Sequence, residues 1–239
     1  MSRLPAHDIP SRDRVIVPLD VPSHDDALAL VDTLGDAVSF YKVGLQLALA
    51  GDYRAITRRL VAAGKHVFLD FKLYDIPNTV ASAVAQLGDT GARFVTVHGD
   101  DKVLDAAVGA RDGIEILAVT VLTSFDQDDL RAMGYGGNVA DLVTARAGRA
   151  LELGCDGIVT SGLEVERVRA EHGDKLLVVV PGVRPAAAAD DQKRVVTPEG
   201  AIRSGADHLV IGRPIRDDPD PRAAAERVQA AISGALESA

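Results

Sequence analysis

The sequence predicts an α/β protein built as a single-domain (β/α)8 TIM barrel. Eight short apolar runs alternate with longer amphipathic stretches along 239 residues. Several of those runs are apolar almost throughout, as parallel strands covered on both faces must be. No GxGxxG follows the first run, so an open, doubly wound dinucleotide fold is the weaker reading.

The strands expected in chain order are RVIVPLD (14–20), VSFYKVG (38–44), HVFLDFK (66–72) and RFVTVHG (93–99). IEILAVTVL (114–122), GIVTSG (157–162), LLVVVPGV (176–183) and HLVIGRP (208–214) complete the set. Between them DDALALVDTLG, YRAITRRLVAAGK, NTVASAVAQLGDTGA and VADLVTARAGRALELG repeat their apolar residues at three- and four-residue spacings, the period of a one-sided helix. Several of these end in Gly shortly before the next strand, a common helix stop. Residues 123–138 (TSFDQDDLRAMGYGGN) are long for a strand-to-helix connection. Residues 1–13 are polar and contain proline, and read as a loose N-terminal arm ahead of a barrel spanning 14–239.

Composition narrows the function. Hydrophobic residues make up 47% of the chain, enough for a full core, yet aromatics are 4% with no Trp. The core is therefore expected to rest on Val, Leu, Ile and Ala. A net charge of −9 opposes nucleic acid and anionic membranes, so any phosphate site must be local. Cys155 is the single cysteine, which excludes an intrachain disulfide and suits a reducing cytoplasm. There is neither a run of 18 apolar residues nor a signal-peptide pattern, and a membrane location is not expected.

Active sites of (β/α)8 barrels lie at the C-terminal strand ends. There the first strand ends in Asp20, the second carries Lys42, and the third carries Asp70 and Lys72 two positions apart, on one face. If all four point into the barrel mouth, two carboxylates and two ammonium groups alternate, each offsetting its neighbours' desolvation. Taken singly, each has an ordinary explanation: a helix cap, a snorkelling lysine, a rim ion pair. Four on three successive strand ends make a site the better reading. Asp75, Pro77, Asn78 and Thr79 follow; Pro77 and Asn78 suit a helix start. Late in the chain Arg184 follows the seventh strand, Gln192 lies in the next loop, and Gly212 and Arg213 end the eighth strand. Loops after strands seven and eight are the recurrent phosphate site of this fold, and arginine suits bidentate phosphate contact. Thr123 ends the fifth strand and could hydrogen-bond a planar ligand or cap a turn. His98 and Cys155 read as structural, and His66, Asp156 and His208 form no metal-ligand spacing.

LD at 19–20, YKVG at 41–44, LDFKLYDIPNT at 69–79, VLTS at 121–124, PGVRP at 181–185, DQKRVVTP at 191–198 and IGRPI at 211–215 together resemble the orotidine 5′-phosphate decarboxylase family. The match runs in order from about residue 14 to 216. DxKxxD is shared by a wider group of barrels; the DxKxxDIPNT form with the DQKR loop is more specific. The resemblance implies a homodimeric barrel that converts orotidine 5′-phosphate to UMP and CO2 in pyrimidine biosynthesis without metal or organic cofactor. It implies that Lys72 donates the proton and that Asp70 lies beside the substrate carboxylate. Lys42 and Asp20 would complete the charged array and bind ribose. Asp75 and Thr79 would reach into the partner's site, Thr123 would bind the pyrimidine, and Arg184, Gln192, Gly212 and Arg213 would hold the phosphate. The loop reads AAAADD at 186–191 where members of the family often carry glycine. Two alternatives stand beside this reading: a sugar-phosphate decarboxylase or aldolase using DxKxxD with Mg²⁺, and a catalytically silent barrel that binds a phosphorylated ligand.

Overall fold

Branched aliphatic residues fill the eight strands, and strands of this kind gain most when both faces are covered. In the computed structural model, which describes residues 9–184 and 196–238, all eight expected strands form; seven are shorter than their apolar runs, and the third extends one residue beyond its run, to Leu73. They are β1 Val15–Pro18, β2 Phe40–Gly44, β3 His66–Leu73, β4 Phe94–His98, β5 Glu115–Val119, β6 Gly157–Val159, β7 Leu177–Pro181 and β8 His208–Val210. Every neighbouring pair is parallel, and β8 pairs with β1 to close the barrel. Closure removes both sheet edges and so leaves no strand open to pairing with another chain.

The helices are α1 His24–Leu34, α2 Leu45–Leu49, α3 Tyr53–Ala62, α4 Pro77–Ala85, α5 Asp101–Ala110 and α6 Gln127–Ala132. α7 Val139–Glu152, α8 Val165–His172, α9 Pro198–Arg203, α10 Arg213–Arg216 and α11 Pro221–Glu237 follow. Local chemistry sets their ends. Ser23, Asp52, Asp100 and Asn138 cap α1, α3, α5 and α7 by accepting hydrogen bonds from amides of the first turn. After α3 the chain turns at Gly64, whose φ of 74° a side chain would strain. Within the long 123–138 connection, Asp126 and Asp129 form a reciprocal capping box that starts α6, an element the apolar spacing did not announce.

Two apolar layers result. One lies between barrel and helices and is built from Val, Leu, Ile and Ala, as composition required. The other fills the barrel's lower interior and departs from that expectation. There Phe40, Phe68 and Phe94, three of the five phenylalanines, pack with Ile16, Leu117, Leu177, Val179 and Val210. The ring centroids of Phe40 and Phe94 are 5.3 Å apart, and those of Phe68 and Phe94 6.0 Å. Large flat side chains fill a wide lumen that Val and Ala would leave hollow.

The expected loose arm is docked from Ile9 onward. Ile9 is buried among the lumen residues, the carboxylate of Asp13 accepts a bond from the Ser39 hydroxyl at 2.5 Å, and the Asp13 carbonyl accepts one from His208 Nδ1 at 2.9 Å. An apolar plug is needed because the lumen would otherwise open to water at its N-terminal end. Among the described residues, no helix is long and apolar enough to cross a membrane.

Candidate active site

The two-residue alternation that puts Phe40 and Phe68 in the lumen puts Lys42 and Asp70 in the layer above. Charge therefore begins where the apolar floor ends. Lys42 Nζ lies 3.2 Å from Asp20 Oδ1 and 3.4 Å from Asp70 Oδ2, and Lys72 Nζ lies 2.8 Å from Asp70 Oδ1. The order is Asp20, Lys42, Asp70, Lys72, with signs alternating throughout. The Lys42 side chain is only 10% exposed and that of Asp70 14%, so each must be paired to be tolerated. Burial pushes the Asp70 carboxyl up, but Lys42, Lys72 and hydrogen bonds from Lys72 and Thr96 outweigh it and hold it below the ordinary carboxylate range.

Backbone strain supports this row. Lys72 has φ +49°, the one positive value among the described non-glycine residues. The β3–β4 register shifts there, pairing Leu69 with Val95 but Leu73 with Val97. Such conformations cost about 1–3 kcal/mol and persist where surrounding contacts enforce them. Gly44 is enforced by space: a Cβ there would stand 2.8 Å from Lys42 Nζ and 2.9 Å from Asp20 Oδ1.

The row lines a cavity of about 450 Å³ at the C-terminal ends of the strands, within the size range of small-ligand sites. Thr123, Arg184, Gly212 and Arg213 line the same cavity. Its apolar wall includes Phe68, Val119, Val121, Val159 and Val210. The cavity thus joins an acid–base row to a cationic end across apolar walls, as a small ligand with an anionic tail requires. Asp75 and Thr79 are exposed and do not line it. The Asp75 carboxylate accepts the Ile76 amide at 2.6 Å, in a loop whose Tyr74 and Ile76 are also exposed. Gln192, like the rest of the 185–195 loop, lies outside the described residues.

Two contributors went unread in the sequence. Thr96, buried on β4, donates its hydroxyl to Asp70 Oδ1 at 2.9 Å. Arg216 lines the cavity and donates to the Asp20 carbonyl at 2.8 Å. Threonine is an ordinary strand residue, and Arg216 is one of 26 basic residues; only its place directly after IGRPI hinted at a role. His98 packs against Tyr74 at a tilt, with ring centroids 5.4 Å apart, and burial, then the charges of Arg146 and Lys72, push its pKa down. Cys155 is buried and its thiol is pushed up to about 12 by burial, which makes it a poor nucleophile.

Fold and cavity define a (β/α)8 barrel whose catalytic face combines alternating buried charges with an arginine-bearing pocket. Residues 13–228 match the model of the orotidine 5′-phosphate decarboxylase / HUMPS family, and the chain belongs to that family. It is 54% identical over 226 residues to an orotidine 5′-phosphate decarboxylase of Methylococcus capsulatus, covering 94% of this chain and 93% of the relative. It is 53% identical over 231 residues to one from Rhodopseudomonas palustris, covering 95% and 97%. The crystal structure of orotidine 5′-phosphate decarboxylase from Lactobacillus acidophilus superposes with a TM-score of 0.81 at 33% identity, covering 92% of this chain and 99% of that one.

Proposed function

We propose that this chain decarboxylates orotidine 5′-phosphate to UMP in de novo pyrimidine synthesis. The carrying observation is the alternating row from Asp20 to Lys72, with contacts of 2.8–3.4 Å, in a chain more than half identical to a relative named for that activity.

The chemistry calls for such a row. Breaking the bond between C6 and the carboxylate leaves its electron pair on C6, in the ring plane, where no carbonyl can delocalise it. A fixed ammonium stabilises that charge as it forms. Lys72 Nζ then gives a proton to C6 as CO2 departs, and solvent restores the proton to the amine. Asp70 holds Lys72 and stands beside the departing carboxylate; Lys42 and Asp20 keep the row neutral and bind ribose hydroxyls. Thr123 contacts the pyrimidine. Arg184, Gln192, Gly212 and Arg213 hold the phosphate, whose binding energy positions a distant reacting carbon. No role is assigned to a metal ion or organic cofactor.

Asp75 and Thr79 complete the site of a second copy in a homodimer. Their exposure outside their own cavity, beside exposed Tyr74 and Ile76, supports that assignment. A cytoplasmic location is supported by the single buried thiol.

Following the loss of orotidine 5′-phosphate absorbance with EDTA present tests the proposal. Turnover that persists in EDTA supports it. Indifference to this nucleotide, or dependence on Mg²⁺, overturns it in favour of a phospholigand binder or a metal-dependent sugar-phosphate enzyme.

A further inference from the structure

We propose that Thr96 is a positioning residue for the decarboxylation, its hydroxyl locking the Asp70 carboxylate to the backbone of Lys72. This rests on the reading of the site given above and adds to it a residue from a fourth strand.

Thr96 is fully buried on β4, one layer above Phe94. Its hydroxyl donates to Asp70 Oδ1 at 2.9 Å and accepts the Lys72 amide at 2.9 Å. A hydroxyl has one proton to give and lone pairs to receive, and both capacities are used here. The place of this contact is telling. The ladder between β3 and β4 is interrupted between Leu69 and Leu73, and the Lys72 amide is bonded to the Thr96 side chain. The same residue carries the left-handed φ of +49°. Asp70 Oδ1 also receives Lys72 Nζ, at 2.8 Å. One oxygen atom thus fixes the lysine's ammonium directly and its main chain through Thr96.

The groups facing Asp70 are Lys42 from β2, Lys72 on its own strand and Thr96 from β4, with Asp20 beyond Lys42. Without the hydroxyl, the Lys72 amide is left without this partner in a half-buried place and Asp70 loses a donor. The lysine backbone is then free to leave its strained conformation, and the ammonium leaves the position where the proton is delivered. Substrate binding through ribose and phosphate contacts is untouched, because none of those groups bonds to Thr96.

The experiment compares wild type with Thr96→Val, which keeps the shape and deletes the hydroxyl, and Thr96→Ser, which keeps the hydroxyl and deletes the methyl; Thr96→Ala is a second hydroxyl-free variant. Steady-state kinetics are paired with a ¹³C NMR titration of the Asp70 carboxyl in the free protein, its signal assigned with Asp70→Asn. In both hydroxyl-free variants kcat should fall by about ten- to a hundredfold, as expected for losing a hydrogen bond to a charged group. KM and UMP affinity should hold, and the Asp70 titration should move to higher pH. Thr96→Ser should remain close to wild type in both readouts. Unchanged kcat and titration in Thr96→Val, or an equal loss in Thr96→Ser, would overturn the proposal. The titration needs no turnover, so a wild type inactive on orotidine 5′-phosphate would refute the functional reading and leave Thr96 to be decided by Asp70 alone.

Discussion

Lys72 Nζ lies 2.8 Å from Asp70 Oδ1 while the Lys72 backbone occupies the left-handed region at φ +49°. The ion pair and the strain are two aspects of one arrangement. A regular strand would carry Lys72 onward with its ladder, and the register shift between Leu69 and Leu73 instead returns its side chain to the Asp70 carboxylate. Preorganisation of this kind places a charge before the reaction needs it.

The first prediction concerns that charge. Lys72→Ala should lower kcat at least about 10⁴-fold, since in the proposed mechanism it deletes both the proton donor and the ammonium that stabilises the carbanion. Folding and UMP binding should survive, because the phosphate-side residues are untouched and Lys72 is the most exposed lysine of the row, at 35% for its side chain. Calorimetric UMP binding and the absorbance assay measure the two separately. Near-normal turnover would remove Lys72 from the mechanism.

Asp75 supplies the second. If it serves the neighbouring copy, Asp75→Asn and Lys72→Ala chains are each inactive alone. Co-expressed, they form a heterodimer in which one of two sites has both residues intact. Random pairing should then return about a quarter of wild-type activity per site. No recovery over either parent would place Asp75 within its own chain's chemistry or outside the chemistry altogether.

The sequence made the barrel legible because parallel strands buried on both faces must be written as continuous apolar runs, and charges closing such runs stand out. Asp20, Lys42, Asp70 and Lys72 were visible for that reason, and the structure brings all four together. Thr96 was hidden because threonine fits any strand, and its contacts with Asp70 and the Lys72 amide depend on a register shift between its strand and the neighbouring one. The aromatic floor was hidden because Phe40, Phe68 and Phe94 lie far apart in sequence and meet only when the barrel closes. The helix start at Asp126 left a trace in DQDD, which carries the acidic pair of a capping box in place of the usual Ser or Thr with Glu.

Gly44 is the subject of the third prediction. An added Cβ would fall inside van der Waals contact with both Lys42 Nζ and Asp20 Oδ1, at 2.8 and 2.9 Å. Both atoms are ends of flexible side chains, so the chain can fold by moving them. Gly44→Ala should therefore cost about 1 kcal/mol of stability or less. Activity should nevertheless fall at least about tenfold, through displacement of the Lys42–Asp20 contact. Denaturant unfolding and kcat/KM test the two halves; wild-type kinetics would show that the row tolerates this displacement.

The fourth prediction is a pH dependence of stability that originates at the closed end of the barrel, away from the cavity. His208 is fully buried between Phe40 and Phe94, each ring centroid 5.5 Å from its own. Burial pushes its pKa down to about 3, the Arg93 charge adding to the effect. Its Nδ1 donates to the Asp13 carbonyl, which leaves Nε2 as the basic nitrogen, and that nitrogen is buried without a partner. An unfolded histidine takes up its proton near pH 6.5. The folded protein therefore binds fewer protons than the unfolded chain between that pH and about 3. Stability should be full above pH 6.5 and fall by about 1.4 kcal/mol per pH unit below it from this residue alone. His208→Gln, which keeps a donor for the Asp13 carbonyl and cannot titrate, should be less stable at pH 7 and lose less on acidification. Unfolding free energies from urea titrations between pH 4.5 and 7.5 would show the shallower slope. Equal slopes for the two proteins would mean that the acid sensitivity between pH 4.5 and 7.5 arises from groups other than His208; Asp70, held below the ordinary carboxylate range, loses its contribution only at lower pH, between the unfolded carboxylate value and its own depressed one.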